Sequence, residues 1–87
     1  MASYRTPDYP PEARLSRQQG TAVIWLHISS EGRVLDAKVE QSSGYTILDN
    51  AALRFAYTVQ FRPARQGNTP VAAEATLPVV FRLTDAR

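Results

Sequence analysis

The densest run of hydrophobic positions lies between Thr21 and Ser29. It holds Val23, Ile24, Trp25, Leu26 and Ile28. β-Branched and aromatic residues at that density predict a strand. One face carries Ala22, Ile24, Leu26 and Ile28; the other carries Val23, Trp25 and His27. A strand apolar on both faces is central in its sheet, or meets a partner with its second face. Between Val34 and Gln41 the pattern becomes alternation, with Leu35, Ala37 and Val39 set against Asp36, Lys38 and Glu40. Period two predicts a half-buried strand with the apolar set turned inward. Ser30-Glu31-Gly32-Arg33 joins the two as a hairpin, and Gly32 can take positive φ there.

The spacing changes again after Ser42-Ser43-Gly44. Leu48, Ala52, Phe55 and Val59 recur at helical intervals, joined by Ala51 and Ala56. They predict a helix from about Ile47 to Val59. Thr46, with Asp49 three residues on, is a variant of the capping box, and Pro63 stops the helix from continuing. Ahead of the first strand, Tyr9-Pro10-Pro11 opens a shorter helix, Pro11 to Gln18. Its Ala13 and Leu15 are available to dock, and Gly20 is its C-terminal stop. Arg65 to Thr69, with Gly67-Asn68, is expected to be a loop. Glu74 to Leu83 is a third strand, with Leu77, Val79, Phe81 and Leu83 on one face. Pro78 cannot donate to a ladder, so this strand belongs at an edge. The order helix, strand, strand, helix, strand predicts an α+β fold. Two helices pack on one face of a three-stranded antiparallel sheet. Residues 1–8 are expected to form a flexible arm, 9–83 the domain and 84–87 a tail.

Composition then narrows what such a domain does. The chain has 87 residues, enough for one thin core and no second domain. It has no cysteine and one histidine, His27. That removes thiol chemistry and disulfides, and leaves metal ligation without partners. Asp36 and Glu40 share a strand face as surface charge, and no Gly-rich phosphate loop is present. Ten basic against eight acidic residues give a net charge of +2. The longest acid-free stretch, Asn50 to Ala73, holds only Arg54, Arg62 and Arg65, so no nucleic-acid partner is expected. No apolar run reaches the roughly 20 residues of a membrane-spanning helix. No catalytic residue, metal ligand or cofactor is expected, and binding is the activity that remains.

The ordered series of short motifs resembles the C-terminal domain of TonB-type energy transducers of Gram-negative bacteria. It begins with Tyr9-Pro10 opening a helix and Gly20 opening a strand. It continues through Gly32-Arg33-Val34, Ser42-Ser43-Gly44 and Leu48-Asp49 with Ala51-Ala52-Leu53. Phe61-Arg62-Pro63-Ala64 and a strand ending Pro78-Val79-Val80-Phe81-Arg82-Leu83 complete it. Three positions depart from the family pattern. Val59 stands where a Trp is usual, Tyr57-Thr58 replace basic residues, and Thr6 stands where many members have Gln.

The resemblance implies a non-enzymatic, force-transmitting domain in the periplasm. Its partner would be the TonB box, an extended peptide of a TonB-dependent outer-membrane transporter. An inner-membrane proton-driven motor would act through an anchor and spacer absent from these residues, so an excised domain is expected. Capture would be strand addition on the third strand, at Leu77, Pro78, Val79, Val80, Phe81, Arg82 and Leu83, with the richest ladder at Val79 to Leu83. Tyr9 and Pro10 would either staple the helix entry or touch the transporter. Arg14 and Arg17 offer charge to acidic groups beside the box. Trp25 is an interface residue if bare, or is covered by His27, Asp36 and Lys38. Alternatives are a TonB-like domain dedicated to one transporter or another envelope complex, a homodimer formed through the same edge, and an enzyme accessory domain.

Overall fold

The computed structural model describes residues 8–83. The expected arm (but for Asp8) and the expected tail lie outside the described residues. Seven elements follow in order: α1 (Pro11–Leu15), β1 (Gly20–Ile28), β2 (Val34–Gln41), α2 (Thr46–Ala56), β3 (Ala64–Gln66), β4 (Thr69–Val71) and β5 (Ala73–Phe81). The main sheet is antiparallel in the order β2-β1-β5, so the strand apolar on both faces is central and the proline-bearing strand is an edge. Both helices contribute to the core on one face of this sheet. Ala22, Ile24, Leu26 and Ile28 of β1 meet Val79 and Phe81 of β5, Ala13 of α1, and Leu48, Ala51, Ala52 and Ala56 of α2. Alanines supply much of the helix side, which lets the helix backbones lie close to the sheet.

Several expectations are corrected. The helix expected over Pro11–Gln18 ends at Leu15. Arg17 takes a left-handed conformation, φ 56°, while the Gln18 N–H donates to the Ala13 carbonyl and the Arg17 N–H to that of Arg14. This is a Schellman turn with arginine in the position that favours glycine. Leu15, expected to dock, is 84% exposed. Gly20 does not stop the helix; it opens β1, where an added Cβ would lie 2.5 Å from the Ser43 carbonyl oxygen. In β2, Leu35 is exposed and Val34 turns inward, because the register shifts between His27 and Ile28.

The second helix starts one residue early and stops three early. Tyr45 precedes it and no side chain caps it. The capping-box acid Asp49 instead reaches back to the Ser-Ser turn, accepting from Ser42 Oγ, the Ser43 N–H and Ser43 Oγ. The helix closes on shorter-range bonds, Thr58 N–H to Phe55 and Val59 N–H to Ala56. The segment expected to be a loop is the β3–β4 hairpin, turned by Gly67 at φ 65°. Its residues are exposed except at the Val71 end, so no burial period betrays it in the sequence. Finally, β5 ends at Phe81, and Arg82 and Leu83 lie just beyond it.

Candidate functional site

A three-stranded sheet has two outer edges, and the two are built differently. On β2 the pairing with β1 shifts register twice. Its Ala37 N–H is already engaged, donating to the Tyr57 hydroxyl at 3.1 Å and to Asp36 Oδ1 at 2.9 Å. Irregular pairing and occupied donors are how an edge is closed to other chains. On β5 the pairing with β1 is regular over all nine residues, from Gly20 with Phe81 to Ile28 with Ala73. Among the described residues no strand lies on its other side.

Pro78 fixes which way the backbone of β5 faces. It pairs with Val23 inside that regular register and has no N–H to give. The pair is therefore a non-hydrogen-bonded one, with the backbone groups of Pro78 turned away from β1. By alternation Leu77, Val79 and Phe81 bond to β1 and turn their side chains into the core, while Glu74, Thr76, Pro78 and Val80 present outward backbone groups. The Leu83 N–H again turns inward, donating to Gln19 Oε1 at 2.9 Å, so Arg82 continues the outward set. Val80 is 51% exposed and is the outward valine of the strand.

Two concavities meet at the C-terminal end of this edge. The larger, about 790 Å³, is lined by Asp8, Tyr9, Pro10, Pro11, Glu12 and Arg14, by Ile47 and Arg54 of α2, and by Val80, Phe81 and Arg82. The smaller, about 430 Å³, lies between Gln19–Thr21 and Val80–Leu83. The Tyr9-Pro10 pair, Arg14 and the end of the third strand are thus brought into one place, although more than sixty residues separate them in the chain. Arg17 does not line the groove, and Leu77 and Pro78 lie further along the edge. Ile47 and Arg54 were not anticipated. Their signal was available, since a spacing of seven puts both on one helix face.

Tyr9 holds this corner together. Its hydroxyl donates to the Gln18 carbonyl, and its ring meets Phe81 edge-on with centroids 5.4 Å apart. The Arg14 guanidinium lies 5.2 Å above the same ring. Arg54 and Arg82 have no ion-pair partner among the described residues. Three arginines against two carboxylates leave the groove mildly positive. At the Ser42-Ser43 turn, burial pushes the Asp49 carboxyl up, but the hydrogen bonds from Ser42 and Ser43 outweigh that and hold it below its ordinary value.

The outward face of β1 is partly covered by its neighbours. Trp25 Nε1 donates to Glu74 Oε1 at 3.1 Å, Lys38 Nζ lies 5.1 Å from the ring centroid, and His27 lies beside it. Trp25 is half-buried by these side chains. Among the described residues no group of three or more His or acidic side chains is placed to hold a metal ion. No helix there is long and apolar enough to cross a membrane.

The profile of the Gram-negative bacterial TonB protein C-terminal family matches residues 5–83, nearly the whole chain. The chain belongs to the TonB C-terminal domain family. Protein TonB of Pasteurella multocida is 36% identical over 77 residues, covering 88% of this chain and 29% of that protein. Protein tonB2 of Pseudomonas aeruginosa is 30% identical over 77 residues, covering 88% and 28%. The chain therefore spans less than a third of the length of these curated relatives. The solution NMR structure of the Pseudomonas aeruginosa TonB C-terminal domain matches with a TM-score of 0.77 at 27% identity, over 98% of this chain and 86% of that one. The family is one of non-enzymatic transport energy transducers. Val59 is buried, with 3% of its surface exposed.

Proposed function

We propose that this domain works in the periplasm as the gripping end of an energy transducer. It captures the TonB box of a TonB-dependent outer-membrane transporter by adding it as a strand to the outer edge of β5. A proton-driven inner-membrane motor acts on it through the regions that its longer relatives carry. The observation that supports this reading is the contrast between the edges: β2 is bulged and partly capped, while β5 is regular and, among the described residues, has no strand on its outer side. Backbone pairing asks little of the partner's side chains, which suits a domain with no reactive group of its own.

Leu77 to Leu83 form the capture edge, and its working length is the end from Val79 to Leu83. There Val80 and Arg82 offer outward backbone groups beside both concavities. Tyr9 and Pro10 form the wall of the groove that receives residues flanking the paired segment. Arg14, Arg54 and Arg82 favour acidic residues in that flank. Tyr9 contributes its ring, because its hydroxyl is held by Gln18.

NMR titration of the domain with a transporter N-terminal peptide carrying a TonB box tests the reading. The largest amide shifts are expected at Val79 to Leu83, with smaller ones at Tyr9 and Arg14. Shifts centred on Val23 and Trp25 instead would place binding on the sheet face and defeat strand addition at β5.

A further inference from the structure

We infer that Pro78 selects the partner of this edge: it disfavours β5 of a second copy of this chain and leaves the end beyond it to a short foreign strand. The second half rests on the strand-addition reading; the first does not.

An open, regular strand normally invites its own copy. Two copies would pair antiparallel about a twofold axis, with outward residues facing outward residues. The outward set is Glu74, Thr76, Pro78 and Val80, continued by Arg82. Any register that takes residue 78 into the ladder loses two bonds per dimer, because each of the two copies brings one proline. Each loss also leaves a carbonyl of the facing strand unpaired at the new interface. Among the described residues, a register that avoids residue 78 keeps only a short ladder, from Val80 with Arg82 of the other copy or from Glu74 with its Thr76. A foreign strand brings no second proline: across residue 78 it loses one bond rather than two, and from Val80 onward it loses none. Pro70 repeats the arrangement in β4. It pairs with Arg65 in a regular register, so its missing N–H also faces away from its own ladder. Both prolines thus spare the fold and subtract only from what an incoming strand would find.

The test compares the wild-type chain with Pro78→Thr and Pro78→Ala by sedimentation equilibrium over a wide concentration range. Restoring two bonds per dimer is expected to strengthen self-association by about tenfold to a hundredfold. Pro78→Ala guards against an effect of the threonine side chain alone. The double variant Pro78→Thr with Val80→Pro removes a neighbouring outward donor and is expected to return to wild-type behaviour. Self-association of the Pro78 variants no stronger than wild type overturns the inference, as does association that the double variant leaves intact. A TonB-box peptide is titrated in parallel at monomer concentrations. If the peptide shifts the Val80 amide while the Pro78 variants stay monomeric, the inference fails and strand addition stands. If the Pro78 variants dimerise through the edge while no peptide binds the wild type, strand addition fails and exclusion of the second copy stands.

Discussion

Val80→Pro removes one backbone donor from the outer edge of β5 and none from the ladder to β1. Val80 shares its parity with Pro78, which already sits in this strand without disturbing a regular register. The Val80 side chain is 51% exposed, so little packing is lost. In the free domain its outward N–H is solvated. Stability should therefore change by less than about 1 kcal/mol, the usual range for an exposed site. In the complex the same N–H meets a partner carbonyl. Its removal loses that bond and leaves the carbonyl unpaired, a cost of about 1–3 kcal/mol. Affinity for a TonB-box peptide should fall about fivefold to 150-fold. Calorimetric titration reads the affinity and thermal unfolding confirms the fold. Thr76→Pro is the matched control: it removes an outward donor on the far side of Pro78 and should weaken binding little. A Val80→Pro domain that unfolds like wild type and binds with unchanged affinity would refute the assignment of this end of the edge.

The groove predicts a charge effect. Arg54→Glu and Arg82→Glu should each weaken a peptide with an acidic flank by up to about fivefold, and most at low salt; a salt-independent affinity in the wild type would contradict this. Gly32→Ala should destabilise the fold by at least about 2 kcal/mol in denaturant unfolding. Gly32 has φ +87°, and an added Cβ would lie 1.9 Å from the Phe61 carbonyl oxygen. Arg17→Gly should stabilise by about 1 kcal/mol, by relieving the left-handed arginine that ends α1. Because the Asp49 pKa is lowered in the fold, its contribution is present above the unfolded value, about 3.9, and is lost as pH falls through the folded value. Wild-type stability should fall faster than that of Asp49→Asn in urea unfolding as the pH drops from 5 towards 2.

The larger features of the fold were legible because burial imposes a period. β1 is apolar on both faces because it has neighbours on both sides and a half-buried outer face, and Pro78 marks β5 as an edge through chemistry that does not depend on context. What escaped were places where one contact overrides the local pattern. Leu35 sits in a regular alternation, yet a register shift hands its inward place to Val34. Gly20 looks like a helix stop, but its missing Cβ answers to Ser43, distant in sequence, while Arg17 takes the left-handed turn. Asp49 stands at capping-box spacing and serves the preceding turn instead. The β3–β4 hairpin buries almost nothing and so leaves no periodic trace. The candidate edge was found through its strand, while the groove beside it, with Ile47 and Arg54, exists only after α1 and α2 have packed.

The position of Tyr9 bears on how such a domain carries load. Next to Asp8, Tyr9 is bonded to Gln18 and meets Phe81 edge-on. The chain leaves the sheet at the same corner, where the Leu83 N–H is held by Gln19. On the proposed reading, a pull arriving through residue 8 runs along the backbone through α1 into β1, and it reaches the end of β5 directly only through the Tyr9–Phe81 contact, worth about 0.5–1.5 kcal/mol on its own. That contact is weak, but it does not act alone. β5 is paired with β1 along nine residues, so load passed to Phe81 spreads over the whole β1–β5 ladder before it can separate the strands. The captured peptide would lie on the opposite edge of the same strand, near Val80. Load would then cross β5 from one ladder to the other, and the bulged β2 edge would stand outside the path. The shorter peptide ladder, limited by Pro78, is the one expected to part first, so the grip releases before the domain unfolds.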